Sequence, residues 1–518
     1  MSDRLSRPCF AYHDVVMLPF DAASVATIVA AATCLLAAAF MRGRPRVRLA
    51  LVAVAALIIR VDPARQSSIH QWDEQLHALV ARHLIDHPLR PTLYEQTVLP
   101  ADPSHWTENH VWLHKPPLAP WLMAFSMAIC GVSAFVMRLP SVLLSSVGVV
   151  LTFLIGRRLF GDRVGILAAS FQAVNGLLVN LASGRRVCDH VDTVLIACVQ
   201  AGIAVVLIAP PARRRWLAPV LAGAAMGAGV LAKSAPALLV AAVAAVVWLD
   251  WRTIGDTVKR LALFLAAAVA IAAPWTIYAH VQFPAESAAG TNSVLQHMTM
   301  VLDGSGGPWW TYLRDMPHSF GELVYVPVVW FLVRFFRRRA TRLDWALLVW
   351  CATPYLVFSM MPTKLPAFIA IGAPALFVIQ AAFWYQLKDA AAKAPGLRRI
   401  GAAVLLGLLA ILPARLLLEK QGPFERRDRW PASTKQMMTL ESELGVPEAV
   451  IFNMPQALEA MFYSRYAAYR RMPSLAEVAE LHRRSIPIVI FVPAGTAPVR
   501  VPDDWHARYL HEATRRRE

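Results

Sequence analysis

At 518 residues, with 57% hydrophobic and 16% charged side chains and a mean hydropathy of +0.47, the chain is far too apolar for a soluble protein of its size. Its formal net charge of +17 would suit a nucleic-acid binder, but the Lys and Arg residues cluster in short breaks between apolar runs. That is the positive-inside pattern of a multi-pass membrane protein, and it argues against nucleic acid as a partner.

The first apolar run, Ala22 to Phe40, is followed at once by Arg42-Gly43-Arg44-Pro45-Arg46 and reads as an uncleaved anchor rather than a signal peptide. With that basic loop in the cytoplasm, the next run, Val47 to Val61, delivers a long polar loop, residues 62–117, to the outer face. Further basic breaks at 157–163, 213–215, 252–260, 334–342 and 388–399 fall on the cytoplasmic side. The turns between them, including a second long loop at 282–318, are poor in Lys and Arg and fall outside. Leu118 to Val132 breaks this parity if it crosses fully, so a short, tilted or re-entrant helix is expected there; the other way to restore parity is that a later run is wrongly split.

After Leu418 the long apolar runs stop and charge rises. Strands are expected over 448–453 and 486–492, and helices over 455–469 and 474–484. The chain thus reads as an all-α polytopic membrane bundle of about 12–13 transmembrane helices, with juxtamembrane helices in the first outer loop. Residues 1–418 form the membrane domain and 419–518 a small soluble α/β domain on the outer side. The six cysteines, Cys9, Cys34, Cys130, Cys188, Cys198 and Cys351, show neither a disulfide framework nor a paired metal spacing.

Chemistry gathers in the first outer loop. Asp73 and Glu74 open a helical pattern with Leu76, Leu79, Val80 and Leu84 on one face, as for a helix lying along the membrane surface, with Asp73 and His77 on the other. Asp73 could simply cap that helix while Glu74 answers its dipole; alternatively it is a carboxylate tuned to take a proton from an acceptor hydroxyl. His114-Lys115-Pro116-Pro117 closes the loop, and its prolines start the next helix. Lys115 is then either a snorkelling side chain or one arm of an anion site at the depth of a lipid-linked phosphate.

Further polar groups fall on the same face: Arg185, Arg186, Asp189 and Asp192 in one turn, His297 in the second long loop, and Lys364 in Met361-Pro362-Thr363-Lys364-Leu365-Pro366. Each alone is explained by a solvated loop charge or an interface anchor; together, at the ends of separate helices, they fit a site built between helices. Lys233, inside an apolar run, reads as a snorkelling residue. No Gly-rich phosphate loop, serine-nucleophile motif or CxxC is present.

In order and spacing these motifs resemble one group of enzymes, the polytopic glycosyltransferases that use polyprenyl-phosphate sugars, namely protein O-mannosyltransferases and bacterial lipid A aminoarabinose transferases. The resemblance rests on Asp73-Glu74, His114-Lys115-Pro116-Pro117-Leu118 with Trp121, Arg138-Leu139-Pro140-Ser141, Gly156-Arg157-Arg158-Leu159-Phe160 with Asp189 or Asp192, Gly229 to Lys233, Pro274-Trp275, His297 and Lys364-Leu365-Pro366. It implies a GT-C-like fold and an inverting transferase in the bacterial inner membrane, with its active site and C-terminal domain in the periplasm. The implied partners are a polyprenyl-phosphate-sugar donor, membrane lipid, and lipid A, another envelope glycan or a protein as acceptor.

Within that resemblance Asp73, with Glu74 beside it, is the carboxylate nearest the chemistry. Lys115 and Lys364 hold the donor phosphate. Where the aminoarabinose enzymes carry Glu before Lys-Pro, this chain has His114; a His114 and His297 pair would be the site of a divalent cation, zinc or magnesium. Phe368 stands where those enzymes often carry Tyr, and Met300 near their loop Arg. A transporter or flippase of a lipid-linked saccharide is the competing reading. It predicts charges at the helix midplane and a two-fold repeat, whereas here the charges sit at one set of helix ends and no repeat is evident. A purely anchoring role would leave Asp73 and Lys115 without purpose.

Overall fold

The computed structural model describes residues 20–95, 109–185, 190–209, 216–302, 304–337, 340–425, 428 and 430–513. A helix rises about 1.5 Å per residue, so roughly 20 apolar residues cross the hydrocarbon of a bilayer. Among the described residues seven helical stretches meet that requirement: Ala22–Phe40, Ala134–Phe160, His190–Ile208, Trp251–Gln282, Arg342–Met360, Pro366–Lys393 and Gly396–Lys420. Two bent pairs raise the number to as many as nine, and the chain is a multi-pass helical membrane protein.

The bends have local causes. Asp162–Ala173 and Gly176–Ala182 meet at 57° across Asn175, whose side chain accepts from the Leu178 amide at 3.1 Å and so starts the second helix. Thr311–Phe320 and Tyr325–Arg337 meet at 114° beyond Gly321, whose φ of 110° is closed to residues with a Cβ.

The chain divides into two compact units. The helical unit comprises the residues through Ala64, Ser141–Val281 and Thr291–Arg426. Ala22–Phe40 pairs with Pro45–Ala64, which starts two residues earlier than expected because proline suits a first helical turn. Inside this unit Arg60 is fully buried. It donates to Ser145 Oγ (2.7 Å) and to the carbonyls of Ala56 (3.0 Å), Ala173 and Gln172 (both 3.2 Å). The last two belong to the final turn of Asp162–Ala173, where carbonyls lose their helical partners, so Arg60 seals the break in that span.

The second unit comprises Arg65–Pro140, Gln282–Gly290 and Arg427–Glu518. Its centre is a four-stranded, all-parallel sheet: β1 (Val450–Phe452), β2 (Ala467–Ala468), β3 (Ile488–Val492) and β4 (Arg508–His511), in the order β2-β1-β3-β4. β1 and β3 are continuous apolar runs with every residue buried, as a sheet covered on both faces requires. Both were expected. β2 was not, because it interrupts a stretch read as one helix: that helix ends at Tyr463 and the chain becomes extended. The helix after β2 begins as the sequence suggests, on a reciprocal cap in which Ser474 and Glu477 each bond the other's backbone amide.

The tail shares its core with the first polar loop. Leu76, Leu79, Val80, Trp112 and Met123 pack in one cluster with Val450, Phe462 and Ile490. This corrects the reading of the Asp73 helix as a surface element. Nine of the eleven residues of Asp73–His83 are buried, among them Glu74, Gln75 and His77, because Ala457–Tyr463 and Leu118–Cys130 both pack on it. Leu118–Cys130 is the short helix expected there: its 13 residues span only about 20 Å, and Gly131 ends it at a φ of 88°.

Candidate active site

The segment that leads into Asp73 has no regular structure between Gln66 and His70, so its backbone groups need partners from side chains. They have them at five consecutive residues. Arg138 donates from Nη1 to the Gln66 carbonyl at 2.5 Å and from Nη2 to that of Ser68 at 2.8 Å. The Tyr463 hydroxyl donates to the Ser67 carbonyl at 2.5 Å. Glu459 Oε1 accepts the Ile69 amide at 3.3 Å, and Glu74 Oε2 accepts that of His70 at 2.5 Å.

Glu74 and Arg138 are themselves paired, Nε to Oε1 at 2.6 Å and Nη2 to Oε2 at 2.9 Å. This two-pronged geometry suits a guanidinium and a carboxylate that are both removed from water. Glu74 is therefore an anchor inside the fold. Asp73 differs: it is half-buried, and among the described residues its carboxylate takes up no hydrogen bond or ion pair. Nor does it cap the helix. The cap position is Trp72, held at φ 74°, a left-handed conformation that costs a bulky residue about 1–3 kcal/mol.

The Glu459 carboxyl also accepts from Thr434 Oγ1 at 3.0 Å, and burial pushes it up to about 6. Burial likewise raises the Tyr463 hydroxyl above its ordinary value, so it stays protonated and donates. In return Arg82, from the last turn of the Asp73 helix, donates to the carbonyls of Met461 (2.9 Å), Phe462 and Ser464 (3.1 Å). It thus caps the C-terminus of Ala457–Tyr463.

The opposite end of the loop is tied to the same helix through aromatic contacts. His77 meets Trp112 edge-on with ring centroids 5.4 Å apart, and Trp112 tilts against His114 at 5.7 Å. His114 Nε2 lies 3.2 Å from Lys115 Nζ, and Lys115, half-buried, precedes the Pro117 cap of Leu118–Cys130 as expected.

In the helical unit the candidate residues have specific partners. Asp192, buried in the first turn of His190–Ile208, accepts from Lys233 Nζ at 2.5 Å. The same ammonium lies 5.0 Å from the centre of the Phe368 ring. Lys233 is thus an internal ion-pair partner rather than a snorkelling residue. Lys364 is 1% exposed and donates to the carbonyls of Phe358 (3.1 Å), Ser359 (2.8 Å) and Met361. It closes the C-terminus of Arg342–Met360, where a cation suits the helix dipole. Arg185 Nη2 donates to the Pro423 carbonyl at 2.7 Å.

Arg186 and Asp189 lie outside the described residues, as does the side chain of His297. Among the described residues no three His, Cys, Asp or Glu side chains come together as metal ligands. His114 Nε2 has the Lys115 ammonium against it, and the side chain of His297, the other expected ligand, is not among the described ones.

Arg138 and Lys233, which the sequence offers only as a motif residue and a snorkelling one, sit inside apolar runs, where a charge signals a buried partner; which partner is a matter of tertiary structure. Glu459 and Tyr463 carried no local signal.

The helical unit and the small α/β unit make up a GT-C-like architecture. The chain is similar over 85% of its length, with a TM-score of 0.62 and 18% identity, to ArnT from Cupriavidus metallidurans bound to undecaprenyl phosphate, of which it covers 89%. An Archaeoglobus fulgidus oligosaccharyltransferase tethered to an acceptor peptide matches with a TM-score of 0.54 at 14% identity, over 82% of this chain and 64% of that one. Residues 114–278 match the family model for dolichyl-phosphate-mannose-protein mannosyltransferase. Among curated proteins, the undecaprenyl phosphate-alpha-4-amino-4-deoxy-L-arabinose arabinosyl transferases of Pseudomonas fluorescens and Pseudomonas aeruginosa are both 27% identical. The alignments cover 59% and 62% of this chain, which spans 57% and 60% of the length of those relatives.

Proposed function

We propose that the chain is an inverting glycosyltransferase that moves a sugar from a polyprenyl-phosphate donor to a hydroxyl or phosphate of lipid A or another envelope glycan, with protein as the less favoured acceptor. It works on the periplasmic face of the bacterial inner membrane, since the Asp73 loop is on the side opposite the basic breaks. The observation that carries this reading is the contrast between adjacent carboxylates: Glu74 is locked to Arg138 inside the fold, while Asp73 at the start of the same helix is half-buried and, among the described residues, takes up no hydrogen bond or ion pair. Similarity to transferases of undecaprenyl-phosphate aminoarabinose supports it over transport.

The chemistry follows from these groups. An acceptor hydroxyl oxygen attacks the anomeric carbon, the bond from that carbon to the phosphate oxygen breaks, and its electron pair stays with the polyprenyl phosphate. The hydroxyl proton passes to Asp73; an acceptor phosphate has no proton to give up and needs only orientation. Lys115 stabilises the charge left on the donor phosphate. Lys364 is a weaker candidate for that role, because its three donors are directed at carbonyls.

The test is transfer by the purified protein in lipid nanodiscs, supplied with undecaprenyl-phosphate aminoarabinose and lipid A and read as a mass increase in lipid A. Transfer should fall by about 10²–10⁴-fold in Asp73→Asn, with an unchanged melting temperature. Full turnover in that variant would overturn the assignment of Asp73.

A further inference from the structure

We infer that the tail helix Ala457–Tyr463 is a positioning element for the reacting carboxylate, with Glu459 and Tyr463 acting through the backbone of residues 67–69 to set the start of the Asp73 helix. This rests on the reading of Asp73 as the catalytic group.

The geometry builds up from the strain at Trp72. A bulky residue in the left-handed region persists only where its surroundings over-determine the backbone. Here the chain just before it is held at every residue from 66 to 70, and two of those five tethers come from the tail: Tyr463 on the Ser67 carbonyl and Glu459 on the Ile69 amide. The other three come from Arg138 and Glu74.

The tethers are buried and linked. Glu459, 5% exposed, is held by Thr434 from Ala432–Leu444, and Glu74 and Arg138 both act on it through space. The tail helix is fixed in turn by Arg82 at its C-terminus, so the two helices hold each other at both ends of the Asp73 helix. Asp73 itself is tethered by no side chain among the described residues, so its placement depends on the backbone that carries it. On this account the α/β tail is part of the catalytic apparatus. Its role is to hold the carboxylate within the small tolerance that proton transfer demands.

The test uses the full chain in nanodiscs with Tyr463→Phe, Glu459→Ala and Glu459→Gln. Tyr463→Phe and Glu459→Ala should each lower kcat about tenfold or more, because misplacement of about 1 Å is costly, while KM for the donor stays unchanged. Glu459→Gln, whose amide oxygen still accepts from Ile69, should restore most of kcat. A purely structural role would instead lower the melting temperature and the folded fraction, with kcat per folded molecule preserved. Hydrogen exchange supplies a readout that needs no turnover: the Ile69 and His70 amides should exchange about tenfold faster in Glu459→Ala and Tyr463→Phe. Wild-type exchange at those amides in both variants would overturn the inference. Absence of sugar transfer by the wild-type protein would overturn the proposed function, and the exchange measurement would still decide whether the tail holds the loop.

Discussion

Glu74 and Arg138 face each other in the core of the α/β unit, guanidinium to carboxylate at 2.6 and 2.9 Å, with side chains 0% and 2% exposed. Removing one partner of such a pair leaves the other buried and uncompensated, which typically costs about 3–5 kcal/mol. Arg138→Ala and Glu74→Ala should each lower the melting temperature sharply, whereas Asp73→Asn should not. Thermal unfolding in detergent separates the two classes. Equal stability of Arg138→Ala and wild type would show that the pair does not hold the loop.

Glu459 makes stability depend on pH in a direction opposite to that of most acids. Its carboxyl is raised from 4.5 to about 6 by burial, so the folded state holds the proton more tightly than the unfolded chain. The associated stability is fully present below about pH 4.5 and is lost as pH rises through 6. The shift is worth about 2 kcal/mol. Glu459→Gln should remove this component, so its stability relative to wild type should grow between pH 4.5 and 7. Denaturant titrations of both proteins across that range measure the difference.

In the helical unit Asp192 and Lys233 form another internal pair, with side chains 5% and 18% exposed. Asp192→Ala and Lys233→Ala should each destabilise by about 3 kcal/mol or more, and the double variant should lose clearly less than the sum, since no lone charge remains. A double-mutant cycle on unfolding gives the coupling directly. Strict additivity would mean that the pair contributes nothing.

Lys364 and Lys115 should separate by readout. Lys364→Met strips three carbonyls at the end of Arg342–Met360 of their donor and should cost about 1–3 kcal/mol of stability. Lys115→Ala should leave stability nearly intact and weaken undecaprenyl-phosphate binding about tenfold or more, the usual worth of a hydrogen bond to a charged group. Calorimetric titration beside thermal melts checks both.

The amino-acid sequence was enough for the elements whose signal is local. Ala22–Phe40, Leu118–Cys130, β1, β3 and the helix Leu475–Arg483 are all written in local runs of apolar residues or local apolar periodicity. The carboxylates and lysines at helix ends were legible for the same reason, because charge beside hydrocarbon is costly and stands out. What each of them touches was not legible. Asp73 and Glu74 are neighbours of one charge, yet only one of them meets Arg138, 64 positions away from Glu74. Glu459 and Tyr463 reach a loop some 390 residues upstream. Ion pairs and side-chain tethers over such separations depend on how helices pack, and no window along the chain contains both partners. Composition and periodicity therefore determined a membrane bundle with a charged polar loop, and tertiary structure alone decided which of the two adjacent carboxylates is locked to Arg138 inside the fold.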